Sequence, residues 1–194
     1  MESLKTKKVN ALLKESINVT EELCKQTAEI EKIEKTVKLI TAALKKGKKI
    51  VLFGNGGSAA DAQHIAGELA GRFKLERQGL PAIALTTNTS VLTAIANDYG
   101  YDMVFSRQVE GIVEQGDVVI GISTSGKSPN VIEGIKAAKK REAYTVGLTG
   151  AKGERIEELA DICIKVPSTD TPHIQEAHIT VGHIICQLVE EDFF

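Results

Sequence analysis

The sequence predicts an α/β protein, a three-layer α/β/α sandwich around a central five-stranded parallel sheet, with an N-terminal helical arm. Three observations predict it. From Lys49 onward, five short apolar runs alternate with helix-like stretches. The runs are unbroken rather than alternately apolar and polar, as expected of strands covered on both faces. Two Gly/Ser-rich loops, Gly54-Asn55-Gly56-Gly57-Ser58 and Ser123-Thr124-Ser125-Gly126-Lys127-Ser128, each follow such a run and precede a helical stretch. That crossing aims backbone N–H groups and small hydroxyls at one point, a ready site for a phosphate.

The arm comes first. Between Val9 and Lys46 there is no Gly or Pro, and Leu12, Leu13, Ile17, Leu23, Ile30, Ile33, Val37, Ile40 and Leu44 recur at helical intervals. One or two helices are expected, ended by Lys45-Lys46-Gly47. This arm either covers the domain or packs on a partner subunit. The strands are expected at Ile50–Phe53, Ala82–Leu85, Val118–Ile122, Tyr144–Leu148 and Ile162–Val166. Helices are expected at Ser58–Ala70, Ser90–Asn97, Met103–Val113, Val131–Lys140, Glu154–Leu159 and Pro172–Glu190. The organisation is one domain over residues 1–194, with the arm at 1–47 and the α/β core at 48–194. In parallel sheets ligands bind beyond the carboxyl ends of the strands, where both loops lie.

The bulk properties narrow the function. At 194 residues, 42% apolar and 26% charged, the chain can bury an ordinary core. A net charge of −2, with no basic stripe, argues against a nucleic-acid partner. The absence of Trp and 4% aromatics disfavour a stacking platform for single strands. Cys24, Cys163 and Cys186 are odd in number and lack CxxC spacing, so buried free thiols are expected. No apolar run reaches membrane-spanning length and no signal-peptide core precedes the arm, which points to the cytoplasm.

Two motif matches are traps. Gly121–Ser128 fits the nucleotide loop G-x-x-x-x-G-K-[ST] letter for letter. That chemistry also needs an acidic residue at the end of another strand to order magnesium. The other strands run into Gly54, Thr86-Thr87, Thr149-Gly150 and Pro167, so the acid is missing. Gly54–Ala59 fits the relaxed dinucleotide fingerprint G-x-G-x-x-A, but the next strand runs into Thr86-Thr87-Asn88 instead of a ribose-binding acid. Either loop alone is also what a tight turn requiring Gly looks like.

The titratable groups carry more. His64 and Glu68 stand at i and i+4 on the helix that starts from the first loop, and so share a face. Such a pair is often a solvated ion pair, but Ala62, Ala66, Gly67 and Ala70 around it suit close packing. The last helix carries Gln175, Glu176, His178 and His183 among Ile174, Ile179, Val181, Ile184, Ile185 and Leu188; His183 also fits a core histidine. Gln175 and His183 are separated by about 12 Å of rise and some 80° of rotation. They share one small site only if it lies between them, or if neighbouring subunits each supply part. Asn97-Asp98 reads as a polar turn and Arg72 as a surface ion pair.

Taken together, GNGGSAADAQH, the downstream Glu68, LTAIANDYG, VFSRQVE, GISTSGKSPNV and IQEAHITVGHIICQLVE resemble the phosphoheptose isomerases of the sugar-isomerase (SIS) superfamily. The match runs in order over nearly the whole chain. The resemblance implies the SIS fold, a flavodoxin-like architecture. It implies conversion of sedoheptulose 7-phosphate to D-glycero-D-manno-heptose 7-phosphate through an enediol, the first step toward an ADP- or GDP-heptose for lipopolysaccharide or another glycoconjugate. It implies one zinc ion per subunit on His64, Glu68, Gln175 and His183, with Glu68 as base and His183 as acid. Ser123, Thr124, Ser125 and Ser128 would hold the phosphate, with no need for Lys127 to touch it. Asn55, Gly56, Gly57, Asn97 and Asp98 would bind the sugar, alongside His64, Glu68 and Gln175. A homotetramer with active sites at subunit interfaces is implied as well. One departure is His173, where the resemblance leads us to expect Arg. The alternative is a non-catalytic tetrameric adaptor that binds a replication initiator; such relatives lack the acid–base pair that this chain keeps. A sugar-phosphate sensor is a third reading, disfavoured because no DNA-binding segment is attached.

Overall fold

The computed structural model describes residues 3–194. The arm is two helices, α1 (Leu4–Lys25) and α2 (Thr27–Lys45). Ser3 caps the first, its hydroxyl accepting from Thr6 N at 3.1 Å. The break falls at Gln26, whose ψ of 83° is not helical, and no Gly or Pro announces it. α2 buries Ile33, Val37, Ile40 and Leu44. α1 buries only Leu23, leaving Leu4, Val9, Leu12, Leu13 and Ile17 exposed.

Five strands follow: β1 (Ile50–Gly54), β2 (Ala82–Ala84), β3 (Val118–Ser123), β4 (Tyr144–Gly150) and β5 (Ile162–Val166). They form one parallel sheet in the order β2-β1-β3-β4-β5. Between them run α3 (Gly57–Ala70), α4 (Thr89–Tyr99), α5 (Ser106–Ile112), α6 (Pro129–Lys140) and the short α7 (Glu154–Glu157), and α8 (Thr171–Phe193) closes the chain.

Alternate residues of each strand face opposite cores. Ile50 and Leu52 pack with Ile40, Leu69 and Val181, which places α2, α3 and α8 on one face. Val51 and Phe53 pack with Phe105, Val109 and Ile135, which places α5 and α6 on the other. The three layers expected from the sequence are therefore present. The free edge of β5 is covered from the arm: buried Glu29 of α2 accepts from Lys165 N at 2.8 Å.

Several boundaries differ from the sequence expectation. The helix expected over Met103–Val113 begins only at Ser106, because Gly100 (φ 88°) ends α4 and a 3-10 turn, Tyr101–Met103, intervenes. α7 stops two residues before Leu159, and β2 stops one residue before Leu85. Cys163 and Cys186 are buried free thiols as expected, but Cys24 is exposed on the uncovered face of α1. No described helix is long and apolar enough to cross a membrane.

Candidate active site

β1 and β3 are neighbours that run to either side of the sheet, so the two Gly/Ser loops emerge together at the point where strand order reverses. Gly56 sits at φ 55°, ψ −120°, a backbone region open to glycine, and this kink turns the chain into α3. Gly57 is glycine for a different reason: a Cβ there would collide with the amide of Gln175. The loops are braced to each other by a reciprocal amide pair. Asn55 Nδ2 donates to Asn130 Oδ1, and Asn130 Nδ2 donates to Asn55 Oδ1, both at 2.8 Å. Tyr101 OH also donates to Asn55 Oδ1 at 3.2 Å. The Asn55 side chain is thus engaged by the scaffold.

The second loop is a hydroxyl cradle. Ser123 and Ser128 hydroxyls lie 2.9 Å apart, and Gly126 N donates to Ser123 O at 3.0 Å. Ser125 Oγ accepts from Lys127 N at 3.2 Å. Ser128 leads directly into Pro129, the first residue of α6, so the cradle sits at a helix N-terminus. A cleft of about 150 Å³ opens beside Thr124 and Ser125.

The titratable cluster stands on α3 and α8. The two helices run side by side in the same direction: Gln175 meets Gly57, Gly182 meets Ile65, and Glu190 meets the segment just after α3. His64 Nε2 lies 3.0 Å from Glu68 Oε1 and 3.3 Å from His183 Nε2. The ligand-type atoms of His64, Glu68 and His183 all fall within 4.8 Å of one another. The His64 and His183 rings meet edge to face at 4.9 Å, and Phe73 stacks on His183 at 5.6 Å. Two ring nitrogens and one carboxylate oxygen converging in this way form a donor set suited to zinc. His183 is therefore part of the cluster. The core histidine of α8 is His178, fully buried, its pKa pushed down to about 4 by burial.

Asp61 belongs beside this cluster and escaped the sequence reading. It precedes His64 by three residues on α3, hence on the same face. Its Oδ2 is buried with no hydrogen-bond partner among the described residues. Burial pushes its pKa up to about 6, against the opposing pull of His64. The spacing was visible in the sequence; the desolvation was not.

The remaining site residues are placed as follows. Gln175 stands at the loop end of α3, its amide against Gly57, while the ligand atoms of His64, Glu68 and His183 converge. Asn97 and Asp98 occupy the exposed last turn of α4, with Asn97 Nδ2 donating to Asp98 Oδ1 at 2.8 Å. It is Tyr101, just beyond, that reaches the first loop. Arg72 forms the expected exposed ion pair, with Glu76 at 3.7 Å. His173 is surrounded by Glu176 (3.1 Å), Asp170 (3.5 Å) and Glu15 (3.7 Å), which joins α8 to α1. Its hydrogen bond to Glu176 and the neighbouring carboxylates raise its pKa.

This fold and site define a class: an α/β protein with two Gly/Ser loops at a sheet switch point and an ionisable cluster shared by the helix leaving one of them and the last helix. Comparison with known proteins identifies the class. Residues 13–150 match the SIS domain family model. The chain is 63% identical to the phosphoheptose isomerase of a Nitratiruptor species over 78% of its own length and 81% of that protein. It is 54% identical to the phosphoheptose isomerase of Aliarcobacter butzleri over 94% of its length and 97% of that protein. The structure of the Neisseria gonorrhoeae phosphoheptose isomerase superposes with a TM-score of 0.89 at 43% identity, covering 97% of this chain and all of that one. The chain belongs to the phosphoheptose isomerase family of SIS-domain enzymes.

Proposed function

We propose that the protein interconverts sedoheptulose 7-phosphate and D-glycero-D-manno-heptose 7-phosphate, supplying an aldose phosphate for activated-heptose synthesis. The single observation that carries the site assignment is the His64–Glu68–His183 cluster, shared between α3, the helix that leaves one of the paired loops, and α8. The cradle of Ser123, Thr124, Ser125 and Ser128 would anchor the phosphate. The backbone of Asn55, Gly56 and Gly57, together with Asn97 and Asp98, would hold the sugar.

The isomerisation moves one proton between carbons and one between oxygens. Glu68 takes a proton from C1 of the ketose while His183 protonates the C2 oxygen, which gives the enediol. His183, having given up its proton, then takes the O1 proton while Glu68 returns its proton to C2, leaving the aldehyde at C1 and both residues as they began. Atoms and charge balance, so neither residue needs an outside proton source. His64, Glu68 and His183 would hold a zinc ion, with Gln175 the fourth ligand in the set that the resemblance implies. When bound, zinc polarises the sugar carbonyl and stabilises negative charge developing on oxygen.

Self-association fits this reading. An apolar groove of about 410 Å³ lined by Leu23, Ile30, Ile33, Val181, Ile184 and Leu188 lies between the arm and α8, beside the exposed apolar face of α1. Such surface is characteristic of a subunit contact and supports a homotetramer. The three cysteines are free thiols, in keeping with a reducing cytoplasm.

The test is to incubate the protein with sedoheptulose 7-phosphate, with and without chelator, and follow the aldose. Glu68→Gln is expected to lower turnover by at least about 100-fold while keeping the fold and phosphate-ester binding. Wild-type turnover in that variant overturns the role of Glu68.

A further inference from the structure

The cradle is built from hydroxyls and backbone amides, all neutral. A phosphate monoester carries about 1.5 to 2 negative charges near neutral pH. The cleft beside the cradle contains the missing charge. It is lined by Thr124, Ser125 and Lys127 of the second loop and by Lys152, Ser168 and Thr169 from the turns after β4 and β5. Lys127 and Lys152 are its only charged lining residues, with no carboxylate among them. Neither lysine side chain forms an ion pair among the described residues.

The segment bearing Lys152 is fixed to both sides of the cleft. Gly150 N donates to Thr124 O at 3.0 Å, and Ala151 N donates to Ser168 O at 2.9 Å. Gly153 N closes the turn on Gly150 O at 3.1 Å. Gly126, at φ 64°, approaches Gly153 so closely that a Cβ would run into its backbone. Lys152 therefore stands on a short, hydrogen-bonded turn pressed against the cradle loop. Lys127 also borders a second cleft lined by Glu133, Glu154, Arg155 and Glu158, whereas Lys152 borders only the cleft beside the cradle. The larger share falls to Lys152.

We propose that Lys152, assisted by Lys127, is a substrate-binding residue that supplies the counter-charge of the phosphate cradle and draws the dianion into it. The inference rests on the cradle being the phosphate site. It gives a role to the lysine of the nucleotide-loop match without any nucleotide.

The experiment compares wild type, K152Q, K127Q, the double variant and K152R by steady-state kinetics with sedoheptulose 7-phosphate at low and high salt. Inorganic phosphate serves as a competitive probe. K152Q is expected to raise KM and the phosphate inhibition constant about two- to fivefold, and the double variant about tenfold. kcat stays within about twofold, so the loss is one of binding. The double variant should also lose most of the salt dependence of kcat/KM, because screening acts on the charges it removes. K152R should behave as wild type. An unchanged KM and salt response in the double variant overturn the lysine role alone, provided wild type turns over and is inhibited by phosphate. A wild type that neither turns over nor responds to phosphate overturns the cradle reading beneath it.

Discussion

Gly182 of α8 lies against Ile65 of α3 so closely that a Cβ on it would come within 2.6 Å of Ile65 Cδ1. This contact sets the spacing of the two helices that carry His64, Glu68 and His183. His183 follows Gly182 directly, and His64 precedes Ile65, so the spacing is transmitted at once to the 3.3 Å approach of the two imidazoles. Gly182→Ala should force the helices apart. We expect a loss of about 1 to 3 kcal/mol of stability, as overpacking typically costs, together with a fall in turnover. Denaturant melts and kinetics on the same preparation check both, and an unaltered enzyme would show that α8 yields without moving the site.

Zinc binding provides a readout of the cluster that is independent of turnover. After dialysis, elemental analysis should find about one zinc ion per subunit in wild type. His183→Ala should weaken binding by at least about tenfold. Full retention of zinc in that variant would place the ion elsewhere.

Glu190 gives a pH prediction. Its carboxylate and the Arg77 guanidinium are almost fully buried 2.6 Å apart, and it also accepts from Phe73 N, Lys74 N and Leu75 N. Burial alone would raise its pKa, but the backbone donors and Arg77 outweigh it and bring it down from 4.5 to about 2. A depressed carboxylate stabilises the fold above its unfolded pKa, and that contribution is lost as pH falls from about 4.5 toward 2. The difference corresponds to about 3 kcal/mol. Stability measured across this window should decline in wild type and be flatter in Glu190→Gln. At neutral pH the same variant should be less stable by about 3 to 5 kcal/mol, because Arg77 is left buried and unpaired. It should also release Phe73 from His183.

Ile184→Glu tests the apolar groove. Ile184 is 42% exposed on α8 beside Ile30 and Leu188. A charge placed there leaves an isolated subunit unharmed but opposes burial against a second copy. Light scattering should show wild type as a tetramer and the variant as a smaller species with an unchanged circular dichroism spectrum. A variant that remains a tetramer would remove this groove from the interface.

The sheet was legible because its inner strands are apolar runs covered on both faces: β1, β3 and β4 are buried along almost their whole length, while edge strand β2 leaves Ile83 exposed. Gly47 and Gly100 stopped helices where their positive φ demands it, yet the break at Gln26 has no comparable signal. Local chemistry was equally readable: His64 and Glu68 follow from i, i+4 spacing on one helix. The meeting of His183 with His64 spans 119 residues and depends on how closely two helices pack, which no local pattern records. Gln175 illustrates the same limit, since its place against Gly57 follows from the running direction of α8 along α3. Asn55 shows the converse, a motif residue whose side chain is taken up by Asn130 and Tyr101.

The common direction of the strands has an electrical consequence. α3, α6 and α8 each begin after the carboxyl end of a strand in an all-parallel sheet, so their amino ends gather along one edge. Each amino end behaves as about half a positive charge. A chain whose formal charge is −2 thereby presents a positive pole at one rim. A phosphate ester arriving at that rim would meet this field together with the charges of Lys127 and Lys152.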